Sequence, residues 1–258
     1  MGEAGGRDAA AEARRASGAD AGASCGEAGA GGRGPVGVTL ADSRNGAGVV
    51  PRVVLWGSRG TTSTIPHLLL AEAGAAFEVR FLSLKDGEQR RPEYLAVNPK
   101  GEVPALAVGG RVVTEIPAIC VFIAETHPAS GLLPADPLEK ALALSWLQWC
   151  SFRQAQSFFP GFMPQRFIEG EAEAAKLRAA SVGRVAEAMR QAGEALSRNG
   201  GFLGGERPGL ADYYLFMQER WAARAFRLEL PEACAAHRAR MAARPAVARV
   251  METEGLEP

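Results

Sequence analysis

The sequence predicts a small α/β domain followed by an all-α domain. Three observations carry that expectation. Between Arg52 and His127, short β-branched runs alternate with helical runs in the order β-α-β, short helix, β-β-α. A proline-dense stretch, PASGLLPADPLEK, with Pro128, Pro134 and Pro137, then interrupts the chain. Every long periodic segment beyond it has helical spacing.

Residues 1–50 stand apart. They are dominated by Gly and Ala, contain no aromatic residue and show no hydrophobic period. Such a segment buries too little surface to offset its ordering entropy, so it is expected to be a disordered tail. Order is expected from Arg52. RVVLWG (52–57) is a short buried strand closed by Gly57. A helix follows from about Thr64, with Pro66 in its first turn, hydroxyls available to cap it and Gly74 at its end. FEVRFLSL (77–84) alternates as a strand, and PEYLAVNP (92–99) is a short helical turn closed by Pro99. VPALAV and RVVTE are two strands joined by the Gly109-Gly110 hairpin. A helix runs from about Ile116 to His127. A β-α-β unit followed by a hairpin and a covering helix is the thioredoxin-like arrangement. The helical half comprises LEKALALSWLQWCSF, AEAAKLRAASVGRVAEAMRQAGEALSRNG, LADYYLFMQERWAARAF and a last helix ending near Glu254, an all-α helical bundle. The expected division is a tail at 1–50, the thioredoxin-like domain at 51–128, a linker at 129–136 and the helical domain at 137–258.

Lys plus Arg equal Asp plus Glu at 29 each in the 258 residues, so no basic field suggests nucleic acid. The apolar runs fall far short of the roughly 18 residues of a membrane span. Cys25, Cys120, Cys150 and Cys234 form no CxxC pair and have no zinc-ligand spacing with His67, His127 or His237. Scattered cysteines of this kind fit a reducing cytoplasm, and no metal is expected.

Three segments resemble the glutathione S-transferase family. Tyr94–Leu106, YLAVNPKGEVPAL, is similar to its NPxGxVPxL segment. Val112-Val113-Thr114-Glu115 followed by Ala118-Ile119 resembles its LTExxAI segment, and Met241–Val247, MAARPAV, with Gly255-Leu256 beyond, resembles its terminus. The likeness covers about residues 52–258 and is nearest to the bacterial beta class. It implies a thioredoxin-like domain with an all-α partner domain, a cytoplasmic homodimer, glutathione as co-substrate and an apolar electrophile.

Carried onto this chain, the resemblance implies a cis Pro104 that lets the Val103 backbone pair with the cysteinyl part of glutathione. Glu115 would receive the γ-glutamyl ammonium while helix N-terminal amides, that of Ile116 included, hold its carboxylate. Lys85 lies where the family often has a basic residue for the glycyl carboxylate. The beta-class cysteine falls at Thr62, with Ser63 next, and its tyrosine falls at Trp56 or Gly57. The family's Asn falls at Gln148 and its His-Lys pair near Ala155-Gln156. Redox chemistry of the beta class therefore has no cysteine here.

The stretch GSRGTTSTIPH (57–67) supplies hydroxyls instead. Lowering a thiol pKa of about 8.5 by roughly two units takes about 2.7 kcal/mol. A hydroxyl hydrogen bond to a charge contributes roughly 1.5–3 kcal/mol, and a helix N-terminus roughly 0.3–1 kcal/mol. Thr62 or Ser63 can thus stabilise the thiolate, Ser63 being slightly favoured for its smaller side chain. Simple helix capping is the competing account of the cluster. Trp146 and Trp149 are expected to pack in the core, or to wall an apolar electrophile. The expected function is a glutathione transferase. The alternatives are a non-catalytic glutathione- or partner-binding protein of the same fold, and a glutathione-dependent disulfide reductase.

Overall fold

The computed structural model describes residues 52–258, and the Gly/Ala-rich segment 1–50 expected to be disordered lies outside the described residues. Strand β1 (Val53–Gly57), helix α1 (Thr64–Glu72) and strand β2 (Glu78–Phe81) form the β-α-β unit. The short helix α2 (Pro92–Leu95) leads to β3 (Ala105–Val108), β4 (Arg111–Thr114) and helix α3 (Ile116–Thr126). The sheet order is β2-β1-β3-β4, with β1 parallel to β2 and antiparallel to β3. Gly109 and Gly110 turn the β3–β4 hairpin at φ 53° and 84°, a conformation that side chains resist. β2 ends at Phe81, three residues before the expected strand end, because Leu84–Gly87 turn away from the sheet.

The helical half contains α4 (Pro137–Arg153), a single π turn (Gln154–Phe158), α5 (Phe159–Phe162) and α6 (Glu171–Arg198). It continues with α7 (Leu210–Arg224), α8 (Glu232–Ala242) and α9 (Pro245–Glu254). The fold is a thioredoxin-like sheet domain followed by an all-α domain. The single last helix expected near Glu254 is two: α8 stops at Ala242 and α9 starts with Pro245, which cannot donate into a continuing helix. The π turn and α5 carry no distinct periodicity and were not expected. No helix among the described residues is long and apolar enough to cross a membrane.

α1 lies among β1, α3, α7 and α9 and buries every residue from Thr64 to Leu70. Its apolar residues therefore join the sheet core, through Leu55 and Leu106, to the helical core around Tyr214, Phe216 and Val250. Asp212 begins α7 by accepting the Gly209 N–H at 2.8 Å, half of a capping box, and also accepts the Leu203 N–H at 2.8 Å.

Candidate functional site

The sheet register gathers the candidate residues at one end. Arg80, Trp56, Ala105 and Thr114 form one row across the four strands. The segment carrying Thr62 leaves β1 there, the turn carrying Lys85 leaves β2, Val103-Pro104 enters β3 and Glu115-Ile116 leaves β4. Adjacent strands are about 4.8 Å apart, so these loops form one rim.

The NPKGEVP segment builds the entry to β3. Tyr94 Oη and Asn98 Nδ2 donate to the Glu102 carbonyl at 2.6 and 2.7 Å. Gly101 turns at φ 64°, and a Cβ there would approach the Gln89 carbonyl at 3.2 Å. The Val103-Pro104 peptide is cis. Val103 lies outside β3, and its backbone makes no hydrogen bond among the described residues, which leaves an N–H and a carbonyl for a strand-like partner. Glu115 precedes α3 at φ 68°, unusual for a residue with a side chain and costing on the order of 1–3 kcal/mol. It does not cap the helix with its carboxylate. The Ile116 and Ala118 N–H groups of α3 have no partner among the described residues. A carboxylate beside free helix-start amides matches the two charges of an amino-acid zwitterion. The Lys85 side chain is exposed and has no ion-pair partner among the described residues.

The hydroxyl cluster divides in a way the sequence does not reveal. Ser63, the slightly favoured candidate, is 2% exposed and turns inward. Its Oγ accepts the Ser58 N–H and donates to the Ser58 carbonyl, both at 2.8 Å, and lies 2.8 Å from Thr61 Oγ1. A Cβ at position 57 would come within 2.7 Å of Ser63, so the close approach depends on Gly57. Ser63 ties the loop together and makes no side-chain cap on α1. Thr62 is half-buried, and neither its N–H nor its hydroxyl has a partner among the described residues. A donor pair is thus free one residue before Ser63, at the positive end of α1.

The loop is held from the far end of the chain. Glu254, 3% exposed on α9, accepts the Gly60 N–H at 2.9 Å and the Thr64 hydroxyl at 2.7 Å through Oε2. Its Oε1 takes a hydrogen bond from His67 Nδ1 at 2.8 Å. Trp221 Nε1 of α7 donates to the Gly60 carbonyl at 3.1 Å. Trp221 packs edge-on against Phe158 and Phe162, and both touch Phe226, so an aromatic cluster adjoins the loop. Trp146 and Trp149 pack against each other instead, with ring centres 5.5 Å apart. Sequence reasoning missed both Glu254 and Trp221. The signal for Glu254 was legible: it follows Ala246, Val247, Val250 and Met251 on the buried stripe of α9.

Burial pushes the thiols of Cys120, Cys150 and Cys234 upward, so none of them is a thiolate at neutral pH. Gln148, where the resemblance put an asparagine, is exposed on α4, while Ala155 and Gln156 are exposed in the π turn.

Residues 51–125 match the family model described as glutathione S-transferase, N-terminal domain, and residues 175–253 match that of its C-terminal domain. Glutathione S-transferase GstA of Escherichia coli O157:H7 is 33% identical over 202 residues, covering 77% of this chain and 96% of that protein. The solved glutathione S-transferase of Xylella fastidiosa is 28% identical with a TM-score of 0.74, covering 80% of this chain and 100% of that one. A sphingomonad glutathione S-transferase complexed with glutathione is 32% identical with a TM-score of 0.69, covering 79% of this chain and all of that one.

Proposed function

Because the chain belongs to the glutathione S-transferase family, we propose that it is a cytoplasmic enzyme that activates the glutathione thiol for attack on an apolar electrophile. The reading is nearest to the beta class, with a threonine hydroxyl standing where that class has its cysteine. The observation that carries it is the unpartnered N–H and hydroxyl of Thr62, at the same sheet end as the cis Val103-Pro104 peptide and Glu115. Val103 pairs with the cysteinyl unit and Glu115 with the γ-glutamyl ammonium. The Ile116 and Ala118 amides take the γ-glutamyl carboxylate, and Lys85 serves the glycyl carboxylate. The thiol loses its proton to solvent, and the hydroxyl and N–H of Thr62 donate to the thiolate. The sulfur electron pair then forms the new bond to the electrophile, whose leaving group departs with its own pair. The aromatic cluster that includes Phe162 supports an apolar electrophile, and the buried free thiols support a reducing compartment. Domain limits of 51–128 and 137–258, with a linker at 129–136, complete the proposal.

The test is calorimetric titration with glutathione followed by thiolate absorbance against pH. Thr62→Val is expected to raise the bound thiol's pKa by about one to two units, or roughly 1.4–2.7 kcal/mol, with folding stability nearly unchanged. Ser63→Ala is expected to do the reverse, costing stability without moving the thiol. A Thr62→Val protein with an unshifted thiol pKa removes Thr62 from the mechanism. Glutathione binding without a thiolate would leave a ligand carrier.

The homodimer is part of the same proposal. Leu138, Leu142 and Phe152 are 66%, 51% and 50% exposed along one face of α4, and Val112 of β4 is exposed as well. Exposed apolar side chains along one helix face support an interface. Leu142→Glu is expected to convert a sedimenting dimer into a monomer. A wild-type chain that sediments as a monomer at all micromolar concentrations overturns this part.

A further inference from the structure

We propose that the Lys100 ammonium is an internal occupant of the cation site on Glu115, and that glutathione must displace it to bind. The inference rests on the reading of Glu115 as the γ-glutamyl subsite. Lys100 Nζ lies 2.6 Å from Glu115 Oε1 and 3.1 Å from Thr114 Oγ1. The ammonium is thus seated at the end of β4, on the carboxylate assigned to the ligand's own ammonium.

The lysine stem rises from a fixed loop. Its backbone N–H donates to Asn98 Oδ1 at 3.2 Å, and Asn98 Nδ2 in turn holds the Glu102 carbonyl. The contact is built to exchange. Side chains of Lys100 and Glu115 are 54% and 68% exposed, so water and salt weaken the pair. A zwitterion can replace it because the Ile116 and Ala118 N–H groups are free for its carboxylate while its ammonium takes the place of Lys100. A ligand without an ammonium gains nothing from displacing the lysine. Lys100 therefore lowers affinity for ligands that carry the α-amino group, and its removal sharpens the selection that Glu115 makes for that group.

The experiment measures dissociation constants of the full chain, wild type and Lys100→Met, for two ligands. One is glutathione and the other is glutaryl-cysteinylglycine, which lacks only the α-ammonium. The Lys100→Met protein is expected to bind glutathione about two- to fivefold more tightly, the span of an exposed ion pair. The analogue's affinity should stay the same or fall. The gain should shrink in 1 M salt, where the Debye length is about 3 Å, and Lys100→Arg should bind like wild type. If Lys100→Met weakens both ligands alike, the lysine attracts the ligand's negative charge and the inference is wrong. It is equally wrong if neither affinity changes. Failure of wild type and every variant to bind glutathione overturns the subsite assignment itself, and the inference with it.

Discussion

Replacing His237 by Ala is expected to cost about 3–5 kcal/mol of folding stability, the range for removing one partner of a buried ion pair. His237 on α8 is fully buried; its Nδ1–H donates to Glu219 Oε2 at 2.9 Å and its Nε2–H to Asp212 Oδ1 at 3.2 Å. Both carboxylates belong to α7 and are themselves buried. Removing the imidazole leaves them facing each other without a cation, and Glu219 Oε1 already lacks a partner. Urea denaturation of wild type and variant measures the loss. A variant within 1 kcal/mol of wild type would show that the two carboxylates relax to water or share a proton.

The same cluster sets the sign of the pH dependence. Burial alone would lower the His237 pKa, but hydrogen bonds to Asp212 and Glu219 outweigh it and push it up to about 9. Burial pushes Glu219 up to about 7, with the bond to His237 opposing. Both groups hold protons in the folded state more tightly than in the unfolded chain. The stability contributed by His237 is complete below about pH 6.5 and is lost as pH rises through about 9. Glu219 adds a loss of the same sign between about 4.5 and 7. Stability should therefore fall from pH 5 to pH 9, and a melting temperature that climbs over that interval contradicts the assignment.

Glu254→Ala is the second large effect, again about 3–5 kcal/mol, and unlike the first it should reach the site. Three donors lose their acceptor at once: the Gly60 N–H, the Thr64 hydroxyl and His67 Nδ1. A buried donor left alone costs about 1–3 kcal/mol. Gly60 and Thr64 bracket Thr62, so loosening them also loosens the donors proposed for the thiolate. Glu254→Gln keeps an oxygen for the Gly60 and Thr64 donors and should lose less than half as much. Chemical denaturation and the pH titration of bound glutathione read the two consequences separately. Loss of stability in Glu254→Ala with an unmoved thiol pKa would confine Glu254 to the core.

The sequence by itself determined the architecture. β-branched runs, the Gly109-Gly110 hairpin and helical periodicity are properties of neighbouring residues, so they can be read along the chain. The family resemblance of the NPKGEVPAL segment implied the cis Val103-Pro104 peptide, whose approach Tyr94 and Asn98 of the same segment hold, whereas the φ of 68° at Glu115 was not expected. The split at Pro245 was equally local and could have been read. Tertiary structure alone decided which hydroxyl was free. Ser63 and Thr62 are adjacent and chemically alike, but Gly57 leaves room for Ser63 to fold onto Ser58, and that fold leaves Thr62 without a partner. It also brought Glu254 to Gly60 and His237 to Asp212 and Glu219, pairings between α9 and the β1–α1 loop and between α8 and α7. A buried carboxylate finds its donors through the path of the whole chain, and no local spacing records that path.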